Sequence, residues 1–313
     1  MIQTPVAYIV FNRPRHTHKT LAAIRSQKPS KLFIIAYGPR SDHPTDRERC
    51  REVREIVEQI DWPCEVHRNY AEENLGLKRR VSSGLDWVFE HVERAIVLED
   101  DCLPHPDFFR FCESLLDHYE TDERVWVITG NNHQGGCKRG DAAYYFSKYN
   151  HCWGWASWRR SWQHYRGDLP FWPEWKLSQD WGHKTPDRIE RHYWNKIFDK
   201  VHREEIDSWA YPWTGCVWYH GGLTATPNVN LVTNIGFGPD GTHTITSEDQ
   251  DGIPSYPLGP LSHPPKVKQD QRADRYAFDH HFGGIHYRFW TRARSMPRRF
   301  AEKVYLKVKS IFH

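Results

Sequence analysis

The stretch Arg94-Ala95-Ile96-Val97-Leu98-Glu99-Asp100-Asp101-Cys102-Leu103-Pro104 decides how this chain is read. Four apolar residues run straight into three carboxylates, a pattern that predicts a buried parallel strand delivering negative charge at its C-terminal end. In open α/β sheets, ligands gather at that end. Adjacent acids repel one another unless a cation or a proton intervenes, so a bound divalent metal is one explanation of the cluster. The other is a solvated acidic turn leading into a helix predicted from Pro106 to His118, with Asp107 in its first turn.

Upstream, Val6 to Phe11 is a continuous apolar run, predicting a first strand that ends at Asn12-Arg13-Pro14. A helix is expected from about Thr17 to Ser26, then a second buried strand, Leu32 to Tyr37, stopped by Gly38-Pro39. Cys50, Val53, Ile56, Val57 and Ile60 carry the three-to-four spacing of an amphipathic helix over Pro44 to Ile60. A short strand at Cys64 to His67 precedes a helix from about Arg79 to Val92, with Val81, Leu85, Val88 and Phe89 on its apolar face. Strands alternating with helices at this spacing predict an α/β fold with a doubly wound, mostly parallel sheet flanked by helices.

Downstream the alternation loosens. Val125 to Thr129 and Tyr144 to Phe146 are predicted strands, separated by a polar Gly-rich loop. Trp155, Trp158 and Trp162 sit three and four apart, as on one stripe of a helix. Helices are expected from Pro186 to Arg203 and again toward Tyr219, and Leu223 to His243 reads as a strand followed by a loop. Pro254 to Pro265 holds five prolines in twelve residues and reads as an extended arm. The expected division is a domain over 1–253, with a donor-binding half to about 130 and an acceptor half after it, then a C-terminal extension over 254–313.

At 313 residues the chain can bury a substantial core. Its 38 % hydrophobic content and negative mean hydropathy go with the lack of any apolar run near the ~18 residues of a spanning helix. Seven cysteines without a CxxC pair, and no charged n-region or apolar h-region near Met1, give the expectation of reduced thiols in a cytoplasmic protein. A net charge of +3 does not call for nucleic acid, and none is expected as a partner. Eight Lys and Arg against Glu302 lie between Arg288 and Lys309, and Phe300, Val304, Val308, Ile311 and Phe312 share a helical face. That pattern suits a helix lying on an anionic membrane surface, which would make the protein peripheral on the inner face of the plasma membrane, or a helix docked on the domain. The 15 tryptophans hint at carbohydrate, because indole faces stack on sugar rings, although large aromatics mostly build cores.

With these motifs in order, the chain resembles the GT-A nucleotide-sugar glycosyltransferases, Rossmann-like enzymes, and more narrowly N-acetylglucosaminyltransferase I and related bacterial sugar transferases. The similarity runs over roughly residues 5 to 245. It is carried by Asn12-Arg13-Pro14, by Asn74 to Lys78, by Glu99-Asp100-Asp101 with Pro106-Asp107-Phe108-Phe109, by Gly154-Trp155, by Asp207-Ser208-Trp209, and by Asn234 to Gly238 with Gly241-Thr242-His243. The chain departs from the family at Tyr37, which stands where relatives place an Asp that hydrogen-bonds the base, and at Ala210, where several bacterial relatives carry Asp.

The resemblance implies a metal-dependent inverting glycosyltransferase, a hexosyl- or N-acetylhexosaminyltransferase. It would move sugar from a UDP-sugar to a hydroxyl of a glycan or glycolipid acceptor in bacterial polysaccharide synthesis. Asp101 would hold Mn2+ or Mg2+, with Asp100 reaching a metal-bound water or the ribose and Glu99 the sugar. Arg13, Tyr37 and Lys78 would contact the nucleotide, Trp209 would stack on the sugar, and His243 would close over the diphosphate. Asp207 would be the general base, or else the cap of the following helix. A non-catalytic carbohydrate-binding protein on the same fold is the alternative.

Overall fold

The computed structural model of the protein describes residues 1–237 and 252–294. His243, with the segment 238–251, and the basic stretch from 295 to 313 lie outside the described residues. The first half alternates as expected: β1 (Val6–Val10), α1 (Pro14–Gln27), β2 (Lys31–Ala36), α2 (Asp46–Val57), β3 (Glu65–Tyr70), α3 (Leu77–His91) and β4 (Arg94–Glu99). Then come β5 (Cys102–Pro104), α4 (Pro106–His118), β6 (Val125–Thr129), β7 (Tyr144–Ser147) and β8 (Trp155–Trp158). Short helices α5 (Arg159–Trp162), α6 (Trp172–Trp175) and α7 (Gln179–Lys184) lead to α8 (Arg188–His202) and α9 (Ala210–Tyr219). The described chain finishes with β9 (Leu223–Pro227), β10 (Val232–Asn234), α10 (Gln271–His280) and α11 (Gly284–Arg294).

Eight strands form one mixed sheet in the order β3-β2-β1-β4-β8-β6-β9-β7, flanked by helices on both faces. β3, β2, β1 and β4 are mutually parallel, while β8 runs antiparallel to both β4 and β6. Alternate residues of β1 explain why it carries a continuous apolar run. Val6, Tyr8 and Val10 enter a core with α1, α2 and α4, whereas Ala7 and Ile9 enter a second core with α3, α8 and α9. A strand covered on both sides has no polar face to keep. Each fully buried aliphatic side chain contributes about 1.5–3 kcal/mol, so this central strand could not tolerate a charge on either face.

The expected Trp155, Trp158 and Trp162 stripe is corrected by the structure. Trp155 to Trp158 is the strand β8, and Trp155 and Trp158 enter opposite cores. The spacing misleads here because every position of a doubly covered strand is buried, which erases the period that would distinguish strand from helix. The tryptophans are chiefly core: Trp155, Trp172, Trp181, Trp194, Trp213 and Trp218 are each under 2 % exposed.

The proline-rich segment is extended, as its composition requires, and it is strapped to the domain. The amide of Leu258 donates to Asp107 Oδ2 (2.9 Å), that of Ala143 to the Ser262 carbonyl (3.1 Å), and the Tyr144 hydroxyl pairs with His263 Nδ1 (2.9 Å). The chain then forms α10, which the sequence reading missed, and seats Ala277 and Phe278 in the second core. All seven cysteines are free thiols. Among the described residues no helix is long and apolar enough to cross a membrane.

Candidate active site

Because β1, β2 and β4 are parallel, their C-terminal ends deliver Phe11 to Arg13, Tyr37 and Glu99 to Asp101 to one edge of the sheet. β8 starts at that same edge, since Trp155 pairs with Val97 near the end of β4, and the residues after β6 emerge there too. The result is a cavity of about 700 Å³ bordered by the acidic triplet, by Asn131 and His133 after β6, and by Asp207 to Tyr211 at the start of α9.

At the triplet, Arg13 lies between two carboxylates, with Nη2 2.9 Å from Asp100 Oδ1 and Nη1 3.0 Å from Asp101 Oδ2. Asp100 is 2 % exposed, and its other oxygen accepts from the Phe11 amide at 3.0 Å. It therefore braces the end of β4 against the end of β1. Asp101 is the more open acid, its side chain 17 % exposed toward the cavity. Burial, then the neighbouring Asp101 and Asp100 carboxylates, push Glu99 well above the ordinary carboxyl range. Burial likewise raises Asp100, against the pull of Arg13. Burial opposes the charge of Arg13, but Asp100 and Asp101 outweigh it and raise its pKa.

Gly236 closes over this pair. A Cβ at that position would lie 2.5 Å from Asp101 Oδ2 and 2.8 Å from Arg13 Nη1, so only glycine lets the backbone approach so closely. The approach is fixed by β10, which pairs with β5 immediately after the triplet, and by the Ile235 amide donating to the Asp101 carbonyl at 2.8 Å.

Tyr37 is buried beside Phe11, with ring centroids 5.1 Å apart, and the Arg40 guanidinium lies 5.2 Å from the Phe11 centroid. Arg40 is anchored in turn by Asp46, which also accepts from Asn12 Nδ2 at 2.7 Å. Despite the cost of its burial, Asp46 is held down to about 2 by Arg40 and Asn12. Beneath them Arg80, only 2 % exposed, donates through Nε to the Ala36 carbonyl (3.2 Å) and through Nη2 to the Asn69 carbonyl. Arg54 reaches the Tyr37 carbonyl at 3.3 Å. The two arginines pin the ends of β2 and β3. Neither was singled out from sequence.

Asp207 is held by a helix distant in sequence. Its Oδ2 accepts from the Leu77 amide (2.9 Å) and its Oδ1 from the Lys78 amide (2.8 Å), satisfying two free N–H groups at the start of α3. Gly76, at φ 77°, makes the turn, and a Cβ there would lie 3.0 Å from Asp207 Oδ2. The capping that sequence reading offered as an alternative thus exists, but on α3 instead of the following helix. Lys78 itself points elsewhere, its Nζ 3.7 Å from Glu204 Oε1, and does not border the cavity. Trp209 does border it, although it is 2 % exposed and stacks on Trp155 at 5.5 Å, mainly as a core residue.

The same cavity holds a group no sequence motif announced. His133, His151 and His281 present ligand atoms that all lie within 4.8 Å of one another. Among the described residues no other set of three such donors converges, and the acidic triplet does not.

The chain matches no protein-family model and no curated protein. Solved structures similar to it include the mannosyltransferase PcManGT from Pyrobaculum calidifontis, in complex with GDP-Man and Mn2+. That match has 12 % identity over 69 % of this chain and 74 % of that one, with a TM-score of 0.34. HddC from Yersinia pseudotuberculosis gives 9 % identity over 55 % and 86 %, with a TM-score of 0.32. The 4-diphosphocytidyl-2C-methyl-D-erythritol synthase of Anaerococcus prevotii gives 10 % over 50 % and 72 %, with a TM-score of 0.31. At these scores the likeness carries no inference about activity.

Proposed function

We propose that the protein is a metal-dependent glycosyltransferase that moves a sugar from a nucleoside diphosphate sugar, UDP-sugar first among them, to a hydroxyl of a glycan or glycolipid. The observation that carries this reading is the Arg13–Asp100–Asp101 arrangement at the mouth of a cavity large enough for a nucleotide sugar. A divalent cation fits this place by three features of the chain. Asp101 offers a hard, partly open oxygen. Three acids, Glu99, Asp100 and Asp101, act on a single arginine, and the Arg13 Nε–H, buried without a hydrogen-bond partner, is a donor left for an oxygen of the diphosphate that would accompany the ion. When bound, such an ion would compensate the charge of the departing diphosphate.

The chain's own residues supply the rest. Asp101 would hold the cation, with Asp100 setting the angle of Arg13, whose spare donors suit phosphate oxygens. Phe11 and Tyr37, packed on each other, would flank the base, a contact that needs no carboxylate at position 37. Glu99 would contact the sugar, with Trp209 and Trp153 lining the space beyond it. Asp207 would take the proton from the acceptor hydroxyl. Its two backbone bonds leave lone pairs on both oxygens and fix its position. Attack on the anomeric carbon from the face opposite the diphosphate would invert that centre.

The experiment is to incubate the protein with Mn2+ and a panel of nucleotide sugars, with and without glycan acceptors, and to measure what is released. Sugar transfer predicts free nucleoside diphosphate from donors of one base class. No release from any donor would favour a binding protein, and formation of nucleoside triphosphate and sugar 1-phosphate only when pyrophosphate is added to a nucleotide sugar would indicate nucleotidyl transfer.

A further inference from the structure

The histidines His133, His151 and His281 come from three separate places: the loop after β6, the segment before β8, and the end of α10. Their rings pack face to face and edge to face, with centroids 3.7 Å apart for His133 and His281, 4.3 Å for His133 and His151, and 5.2 Å for His151 and His281. Like-charged rings so placed would repel, so the cluster is favourable only when its members are neutral or share a cation. Burial, then the neighbouring rings, hold His133 and His151 well below the ordinary histidine range, while His281 is the exposed member of the group. None of their ring nitrogens has a hydrogen-bond partner among the described residues, whereas other histidines of the chain, such as His16 on the Ile235 carbonyl, do.

Beside them Asn150 is 8 % exposed and borders the same cavity, with both Nδ2 and Oδ1 buried and unpartnered. An orphaned buried amide is costly, and it points to a ligand that the chain alone does not supply.

We propose that His133, His151 and His281 form a second metal site, taking a borderline transition ion of the Zn2+, Co2+ or Ni2+ class, in the same cavity but built from residues remote in sequence from the acidic triplet. Three neutral imidazoles select such ions, whereas Mg2+ and Ca2+ seek oxygen. Three protein ligands leave a fourth position, which opens to the cavity and would receive water or an oxygen of a bound molecule, with Asn150 as its hydrogen-bonding neighbour. Tetrahedral binding at Zn–N of about 2.0–2.1 Å requires nitrogens about 3.4 Å apart, so the rings must draw together on loading. His281 can move most readily, since it sits past the last residue of α10 and just before the turn at Gly283, φ 76°. The site does not depend on the donor reading, because neither Arg13 nor Asp101 takes part.

The test is titration of the purified protein with Co2+, followed by its visible d–d absorption, then displacement by Zn2+. The wild type is expected to take up one equivalent in a four- or five-coordinate site that Mg2+ does not displace. Asp101→Ala is expected to keep that band. His281→Ala, and His281→Phe, which retains a ring but no ligand nitrogen, are expected to lose at least about 100-fold in affinity. X-ray absorption of the Zn2+-loaded wild type, which needs no variant, should show imidazole ligands. No stoichiometric uptake, a band that survives both His281 variants, a band lost in Asp101→Ala, or an oxygen-only shell would each overturn the site.

Discussion

Asp101→Ala is expected to lose sugar transfer by at least about 10³-fold while its folded structure is kept. The magnitude follows from the role: losing the charge compensation on a departing diphosphate costs several kcal/mol of transition-state stabilisation, and each 1.36 kcal/mol is tenfold in rate. The unusual part is the expected stability. Asp101 adds to the pressure that raises Glu99 and Asp100, so removing it relieves repulsion among buried carboxylates. Against that stands the loss of its contact with Arg13, which is softened because Arg13 retains Asp100. The melting temperature of Asp101→Ala should therefore equal or exceed that of the wild type. An active Asp101→Ala protein, or one that simply fails to fold, would contradict the assignment.

For Asp207 the informative substitution is Asn. Asparagine keeps one acceptor oxygen for the Leu77 or Lys78 amide but cannot take a proton, whereas alanine removes both functions. If Asp207 is the base, Asp207→Asn and Asp207→Ala should both lower kcat by about 10²–10⁴-fold, with little change in donor KM. A merely positioning Asp207 would leave Asp207→Asn close to wild type, with the damage confined to Asp207→Ala and accompanied by a lower melting temperature, since one helix cap is worth about 0.5–2 kcal/mol. Steady-state kinetics and thermal unfolding of the two variants separate these outcomes.

Much of the first 130 residues was legible because local and global demands coincide there. Strands such as β1 are apolar throughout, helices such as α2 show one buried face, and the chain alternates between them. Legibility fell where one position answers to partners far along the chain. β8 hides its period because both of its faces are covered, and β5 and β10 are three-residue strands that exist only as a pair. α10 buries small residues, Ala273 and Ala277, whose apolar signal is weak.

The candidate site divides in the same way. The acidic triplet announced itself because three carboxylates after an apolar run have few other uses, and its closeness to Arg13 followed from parallel strands ending at one edge. The bonds of Asp207 to α3, the buried Arg80 and the three-histidine cluster join segments with no common motif. Lys78 shows the converse: it was expected to contact the nucleotide, but its side chain turns toward Glu204 and only its backbone amide meets Asp207.

The central claim is that the acidic edge holds a nucleoside diphosphate through a divalent cation. Its most direct test is calorimetric titration of UDP and GDP into the wild-type protein, once with Mn2+ and once with the metal chelated. The account predicts that one of the two nucleotides binds at least about tenfold more tightly with Mn2+, and that Asp101→Ala abolishes the difference. Equal affinity with and without metal, or a metal effect that persists in Asp101→Ala, would contradict it.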